Sequence, residues 1–160
     1  MRSRSLRALL LLALAALATP AHAVLATCTA SAQTVAFGSY NPFSATPLDS
    51  SGQVGVSCSI SLGISIAVSY TIKLSTGVAG SYAPRYMAAG ANHLNYNLYT
   101  SSARTTVWGN GTGGTSTVTD SYLLGLSTVA RTYPVYGRVT AQQNLPGGSY
   151  SDTIMVTVEY

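Results

Sequence analysis

Apolar and small polar residues alternate along several stretches of this chain, with a period of two residues. In one of these stretches, the apolar side chains that share a face are Ile66, Val68, Tyr70, Ile72 and Leu74. Such alternation is typical of an antiparallel β-strand that buries one face. Similar patterns predict further strands at residues 53–60, 94–99, 133–139 and 149–160.

Turn-forming residues separate the predicted strands. Clusters of Gly, Pro, Asn, Asp and Ser predict turns at residues 40–42, 49–52, 108–114 and 145–148. No window shows a convincing helical period. The pattern therefore predicts an all-β fold, and two sheets packed as a sandwich are the simplest architecture for it.

The number of predicted strands suggests that this sandwich is incomplete. The pattern indicates about six strands, whereas an immunoglobulin-like sandwich has about seven. If the last strand is missing, one sheet keeps an open edge beside an apolar groove, which is an aggregation hazard unless another chain supplies a strand. The candidate residues of this strand-acceptor groove are Val35, Phe37, Ile154, Val156 and Val158.

The first 23 residues have the pattern of a secretory signal peptide. Three arginines precede an unbroken run of Leu and Ala at residues 9–17, and Ala-His-Ala at residues 21–23 fits a small-x-small cleavage site. The apolar run is too short to span a bilayer. We therefore expect a signal peptide at residues 1–23, an exported single domain at residues 24–160, and no transmembrane segment in the mature chain.

Removing this signal peptide changes the charge of the protein. The whole chain has a formal net charge of +4, from eight basic and four acidic side chains. Three of the basic residues lie in the signal peptide, so five basic against four acidic side chains leave +1. No basic stripe remains to neutralise phosphates, and we expect no nucleic-acid partner.

The two cysteines of the chain are Cys28 and Cys58. An even pair in an exported protein is expected to form a disulfide. A metal site would need more ligands at short spacing, and His93 is the only histidine after the predicted cleavage site. We therefore expect a disulfide, and neither a metal nor a cofactor.

Two motifs suggest catalysis only formally. Residues 109–114 match the glycine spacing of dinucleotide-binding loops but are followed by no helix or acidic residue of a βαβ unit. His93, Asp120 and the many serines could suggest a hydrolase triad, yet no nucleophile elbow is present, and an ordinary loop histidine is the better interpretation. We expect no enzymatic activity.

Three blocks of sequence together resemble the spore coat protein U domain family. They are residues 28–40, then 94–99 with 108–111, and finally 135–140 with 148–153 and 156–158. The resemblance covers nearly the whole mature chain and implies an incomplete immunoglobulin-like β-sandwich. It also implies assembly by donor-strand complementation, through a periplasmic pilus chaperone and an outer-membrane usher of the archaic pathway, with other pilus subunits as partners.

The N-terminus departs from what this resemblance implies. Polymerising subunits of this type carry an N-terminal donor extension, but only residues 24–27 precede Cys28. Four residues span about 13 Å at ~3.3 Å each, which is shorter than an ordinary strand of roughly 17–20 Å. We therefore expect a subunit that accepts a strand but donates one poorly, as a terminal subunit would. A different cleavage site would restore an extension.

Three functions remain open at this point. The first is a structural subunit of an adhesive pilus, involved in cell adhesion and biofilm formation and located at the cell surface after transit through the periplasm. The second is a stand-alone secreted coat or matrix protein with a complete β-sandwich. The third, a small secreted hydrolase, has little support because no catalytic constellation is visible.

Overall fold

A computed structural model describes residues 26–60 and 64–160, and the predicted signal peptide lies outside them. The described residues form eight β-strands and one short 3-10 turn at Gly77–Ala79. The strands in chain order are β1 (Ala26–Gln33), β2 (Leu48–Ile60), β3 (Ile66–Leu74), β4 (Arg85–Ala89), β5 (Asn92–Tyr99), β6 (Val118–Leu124), β7 (Val129–Val139) and β8 (Val156–Glu159).

The strands form two sheets with antiparallel pairing throughout. The larger sheet has the order β1-β2-β7-β5-β4, and the smaller one has the order β6-β3-β8. Buried side chains of both sheets form one hydrophobic core. The predicted all-β sandwich is therefore confirmed.

The core follows from the alternation in the sequence. In β3, the predicted face is buried from Val68 to Leu74, while Ser69 between two of its members is exposed. Alternate residues of β2, β5 and β7 contribute the facing side of the core. Trp108, in the loop after β5, is fully buried and donates its indole N–H to the Ile72 carbonyl at 3.0 Å. A buried tryptophan generally needs such a partner for its N–H.

Three strands were not predicted from the alternation: β1, β4 and β6. β1 consists of small and polar residues that are mostly exposed, so it has no apolar face to detect. β4 has only five residues, and β6 contains Asp120. β1 and β6 pair with β2 and β3 across longer connections, and such pairing leaves no local signature. β4 forms a tight hairpin with β5, in which Ala89 lies opposite Asn92, and its few residues are too short a run for the alternation to be detected.

The predicted turn at residues 49–52 is wrong, because these residues belong to β2. They continue the ladder with β7, in which Asp49 lies opposite Arg138. The two side chains form an ion pair with an N–O distance of 2.7 Å. Cross-strand pairing of opposite charges stabilises a ladder, so the polar composition marks an exposed strand end here instead of a turn.

The predicted strand at residues 149–160 is divided in two. Ser151 forms a bridge with Ala88 of the larger sheet, whereas β8 pairs with β3 in the smaller sheet. The residues between them cross from one sheet to the other. Asp152 holds this crossing, since its carboxylate accepts hydrogen bonds from the Val78 amide at 2.9 Å and from its neighbour Thr153 at 2.7 Å.

Candidate strand-acceptor groove

An open cavity of about 830 Å³ lies between two segments of the sandwich. One wall is formed by residues 34–40, which follow β1, and the other by residues 152–156, which lead into β8. The side chains between these walls are mostly apolar. They include Leu74, Met87, Leu94, Tyr96, Leu98, Val135, Val139, Leu145 and Tyr150.

Exposure alternates along the first wall as it does in a strand. Val35 and Phe37 are half-buried, while Thr34, Ala36 and Gly38 are exposed. The wall can approach the larger sheet because two of the positions beneath it are glycines. A Cβ built on Gly52 would lie 2.8 Å from Val35 Cγ2, and one built on Gly137 would lie 2.6 Å from Phe37 Cζ. Any side chain there would push the wall away from the core.

This first wall pairs with no strand among the residues that the structure describes. Within the described part of the chain, residues 35–39 form no backbone-to-backbone hydrogen bond. The Ala36 carbonyl accepts a hydrogen bond from the Ser50 hydroxyl, but that contact replaces no strand. Backbone N–H and C=O groups are obligatory hydrogen-bonding groups, so this segment can pair with an added strand.

The second wall presents Ile154 and Val156 to the cavity, and both are half-buried. Val158 continues the same face of β8 and packs against the core beside the cavity, without lining it. Among the described residues, β8 pairs with β3 alone, so its other edge carries no strand. The predicted groove residues thus lie on both walls: Val35 and Phe37 on one, Ile154 and Val156 on the other.

The carboxylate of Asp152, in the second wall, accepts hydrogen bonds from two other segments of the chain. Tyr96 Oη donates to Asp152 Oδ2 at 2.7 Å, and the Val78 amide donates to Oδ1. Burial, together with the hydrogen bond to Asp152, raises the pKa of Tyr96. Tyr96 also packs edge-on against Phe37 with ring centroids 5.9 Å apart, so it contacts both walls.

A buried arginine lies behind the second wall. Arg85 of β4 is 0% exposed, and its guanidinium donates to the carbonyls of Ser75 and Trp108 and to Asn97 Oδ1. Burial lowers the pKa of Arg85. Sequence reasoning counted this residue only as a charge. The available signal was that Arg85 is the single charged residue between Lys73 and Arg104.

A different contact joins the sheets at what we call the tyrosine cluster, formed by Tyr70, Tyr122, Tyr133 and Asp120. The hydroxyl groups of Tyr70 (β3) and Tyr133 (β7) lie 2.6 Å apart, and Tyr133 Oη donates to Asp120 Oδ2 at 2.6 Å. The Tyr70 ring packs edge-on against both other rings. Burial, with the hydrogen bonds to Asp120 and Tyr70, raises the pKa of Tyr133.

Cys28 and Cys58 lie directly opposite each other on β1 and β2 and form a disulfide. β1 is an edge strand with a mostly exposed surface. The disulfide therefore attaches β1, the strand that leads into the first wall of the groove, covalently to β2.

The residues considered for catalysis are not brought together. His93 was expected in a loop but lies in β5. Its ring stacks on Tyr86, with ring centroids 3.9 Å apart. Asp120 lies in β6 of the other sheet and is bonded to Tyr133. In residues 26–60 and 64–160, no group of three or more His, Cys, Asp or Glu side chains could hold a metal ion. No helix among these residues is long and apolar enough to cross a membrane.

Comparison with known proteins gives a consistent result. The Spore Coat Protein U domain family matches residues 13–157. Protein U of Myxococcus xanthus is 31% identical over 134 residues, which cover 79% of this chain and 72% of that protein.

A solved structure is also similar. It is described as the CsuC-CsuE chaperone-tip adhesion subunit pre-assembly complex from archaic chaperone-usher Csu pili of Acinetobacter baumannii. A chain of that complex matches with a TM-score of 0.55 and 24% identity over 86% of this chain, which spans 40% of the length of the solved chain. The likeness shows the fold: an incomplete immunoglobulin-like β-sandwich, as the sequence predicts.

Proposed function

We propose that this chain, which belongs to the Spore Coat Protein U domain family, is a structural subunit of an adhesive pilus and is completed by a strand from another protein. That strand comes first from a periplasmic chaperone and then from a neighbouring subunit during assembly at an outer-membrane usher. In this proposal the groove is a protein-binding site and the chain has no catalytic role.

The observation that supports this function is the groove between two walls with open backbone edges. Within residues 26–60 and 64–160, residues 35–39 of one wall make no backbone pair and β8 is paired on one side only. An extended peptide laid between them would satisfy main-chain groups of both walls, while alternate side chains would fill the cavity. Each unsatisfied buried polar group costs about 1–3 kcal/mol, against a domain stability of about 5–15 kcal/mol.

The domain boundaries and the cellular location belong to the same proposal. Cleavage of residues 1–23 releases a domain of residues 24–160 into the periplasm, from which it reaches the cell surface. Under this proposal, a segment as short as residues 24–27 would be a poor donor strand, which fits a subunit in a terminal position in the fibre.

The experiment compares the mature chain with a chain that carries a donor strand after Tyr160. The added strand follows a short Gly/Ser linker and has about nine residues in which valine and threonine alternate, the pattern that fills one face of a strand. We expect the fused chain to be a soluble monomer with a higher melting temperature. The unfused chain should aggregate or unfold at lower temperature.

A matched control carries the same linker and strand with aspartate replacing every valine, so that no apolar face remains. This control should behave like the unfused chain. The alternative function, a stand-alone coat protein, is suggested by the description of the family as a spore coat domain. It predicts an unfused chain that is already a cooperatively folded monomer and gains nothing from the strand, and that result would refute the pilus proposal.

A further inference from the structure

We propose that Arg85 is a positioning residue of the acceptor groove, which holds the second wall in its strand-accepting position while the groove is empty. This inference rests on the proposed function because it concerns the same groove. It assigns to a buried residue, distant from the incoming strand, a part in strand acceptance.

Arg85 joins three separate segments of the chain. Its Nε and one terminal nitrogen donate to the Ser75 carbonyl at 3.0 and 2.8 Å. That same terminal nitrogen donates to the Trp108 carbonyl at 2.7 Å, and the other donates to Asn97 Oδ1 at 2.8 Å. The guanidinium also lies over the Tyr82 ring, 4.8 Å from its centroid.

Ser75 connects Arg85 to the second wall. Its amide donates to the Met155 carbonyl at 3.0 Å, and its hydroxyl accepts from the Met155 amide at 2.9 Å. Met155 lies between Ile154 and Val156, the two side chains that face the cavity. A shift of Ser75 would therefore move both of these side chains.

Asp152, at the start of the second wall, is bonded to Tyr96, the ladder partner of Arg85. Arg85 lies opposite Tyr96 in the ladder of β4 and β5. Tyr96 donates to the Asp152 carboxylate, which also binds the Val78 amide. Met155 is thus bonded to Ser75, which accepts from Arg85, and Asp152 is bonded to Tyr96, which pairs with Arg85 in the ladder.

The donors of Arg85 do more than fill space at this buried position. Among the described residues, no carboxylate forms a hydrogen bond with its guanidinium, although the charge is fully removed from water. Removing this side chain would leave the carbonyls of Ser75 and Trp108 and Asn97 Oδ1 without these donors, at about 1–3 kcal/mol for each buried group that loses its partner. The planar fork of an arginine offers donors in fixed directions to several acceptors at once, and here those donors fix Ser75, which is bonded to the second wall.

The test measures strand binding with Arg85→Met, which keeps an unbranched side chain but removes the donors. The linker of the fused chain is cut with a protease, and the strand is exchanged against a labelled peptide of the same alternating Val/Thr sequence. We expect the apparent dissociation constant of the peptide to rise about tenfold, since a mobile wall must be ordered on binding. The exposed Arg131→Met is the control, with a change below about twofold.

Amide hydrogen exchange provides a second measurement. In the emptied groove, the amides of Ser75, Met155 and Val78 should exchange faster in Arg85→Met than in the wild type. In the uncut fused chain this difference should shrink, because the bound strand then holds β8. If Arg85→Met cannot be emptied without unfolding, Ser75→Ala removes one of the two bonds to Met155 and should weaken peptide binding in the same direction, by about threefold.

Two results would overturn the inference, and they differ from each other. Arg85→Met could lower the melting temperature of the uncut chain while peptide affinity stays within twofold of the wild type; Arg85 would then be a packing residue only. The wild type could also fail to bind the peptide at all, and in that case the proposed function itself would be wrong.

Discussion

At the tyrosine cluster, hydrogen bonds join the two sheets directly, whereas at the acceptor groove apolar side chains of both sheets face an open cavity. Tyr70 and Tyr133 connect β3 to β7, and Asp120 completes the link. At the groove, Phe37 and Ile154 line opposite walls. The same sandwich is thus closed by its own side chains in one region and left open in another, where the proposed function places a partner strand.

This difference separates two kinds of stabilisation in one domain. Side chains in the closed region already make the contacts that hold the fold, so their removal should be costly at all times. If the proposed function is right, the half-buried side chains of the groove, such as Ile154 and Val156, gain further contacts when a strand arrives. Substitutions in the two regions should therefore respond differently to an added strand.

The largest effect should follow from Trp108→Ala in the strand-fused chain. The side chain is fully buried and its N–H is bonded to the Ile72 carbonyl. Truncating a buried aromatic residue costs about 3–5 kcal/mol, which urea unfolding would measure. Phe43→Ala is the matched control, because Phe43 is 86% exposed, and it should change the free energy of unfolding by no more than about 0.5 kcal/mol. Equal effects of the two variants would contradict the assigned core.

Removing the disulfide should have the next largest effect. The double variant Cys28→Ser/Cys58→Ser opens a link with a sequence separation of 30 residues. In the chain-entropy model such a link contributes roughly 3–4 kcal/mol. Because β1 leads into the first wall, amide exchange at residues 35–39 of the fused chain should also accelerate. Unchanged exchange there would show that the wall is held independently of β1.

In the tyrosine cluster, Tyr133→Phe should cost about 1–3 kcal/mol, because Asp120 and Tyr70 lose a hydrogen-bond partner. The variant should also change the pH dependence. The pKa of Tyr133 is raised in the folded state, so its stabilising effect is complete below the unfolded pKa of about 10 and is lost as the pH rises above it.

The measurement for this variant compares the free energy of unfolding at about pH 8 and about pH 11. Between these values, the wild type should lose more stability than Tyr133→Phe, since the variant has no phenol at this position to ionise on unfolding. Tyr96, whose pKa is also raised, keeps part of the dependence in both proteins. Identical losses in the two proteins would exclude Tyr133 as a source of alkaline sensitivity.

The smallest effect should come from Ile154→Ala in the unfused chain. Its side chain already borders a cavity, so truncation should cost less than about 1 kcal/mol. In the fused chain the same substitution should cost about 2 kcal/mol or more, because the strand then packs against this side chain. Ile72→Ala, at a position 0% exposed, should cost about 2–5 kcal/mol in both chains.

Measurements on the unfused chain need low temperature and a stabilising osmolyte, which favours burial of surface. The ratio between the effects of Ile154→Ala with and without the strand is the sharpest test of the comparison. An equal cost in both chains would mean that no strand packs on the second wall.

Much of the core was predictable from local pattern. The alternation in β3 identified Val68, Tyr70, Ile72 and Leu74 as one buried face, and they are buried together. Pattern reasoning works at these positions because the side-chain period of a strand is two, whatever its partners are. The prediction at residues 49–52 failed for a related reason: polar residues in an exposed strand end resemble those of a turn.

The path of the chain around the groove was not predictable in this way. Residues 149–160 carry one continuous alternation, yet the chain leaves one sheet at Ser151 and enters the other at Val156. The crossing depends on bonds from Asp152 to Val78 and Tyr96, more than fifty residues away. Arg85 was missed for the same reason, since its partners lie on three separate segments.

The order of residues along the chain was sufficient for the strand faces, the all-β class and the pairing of two cysteines, because each of these depends on local periodicity or on composition. Which strands became edges, where the chain crossed between sheets, and which charge was buried were decided by contacts between distant residues. Those contacts form only when both sheets are assembled. The groove belongs to this second class, because a cavity is defined by walls that lie more than one hundred residues apart in the sequence, at residues 34–40 and 152–156.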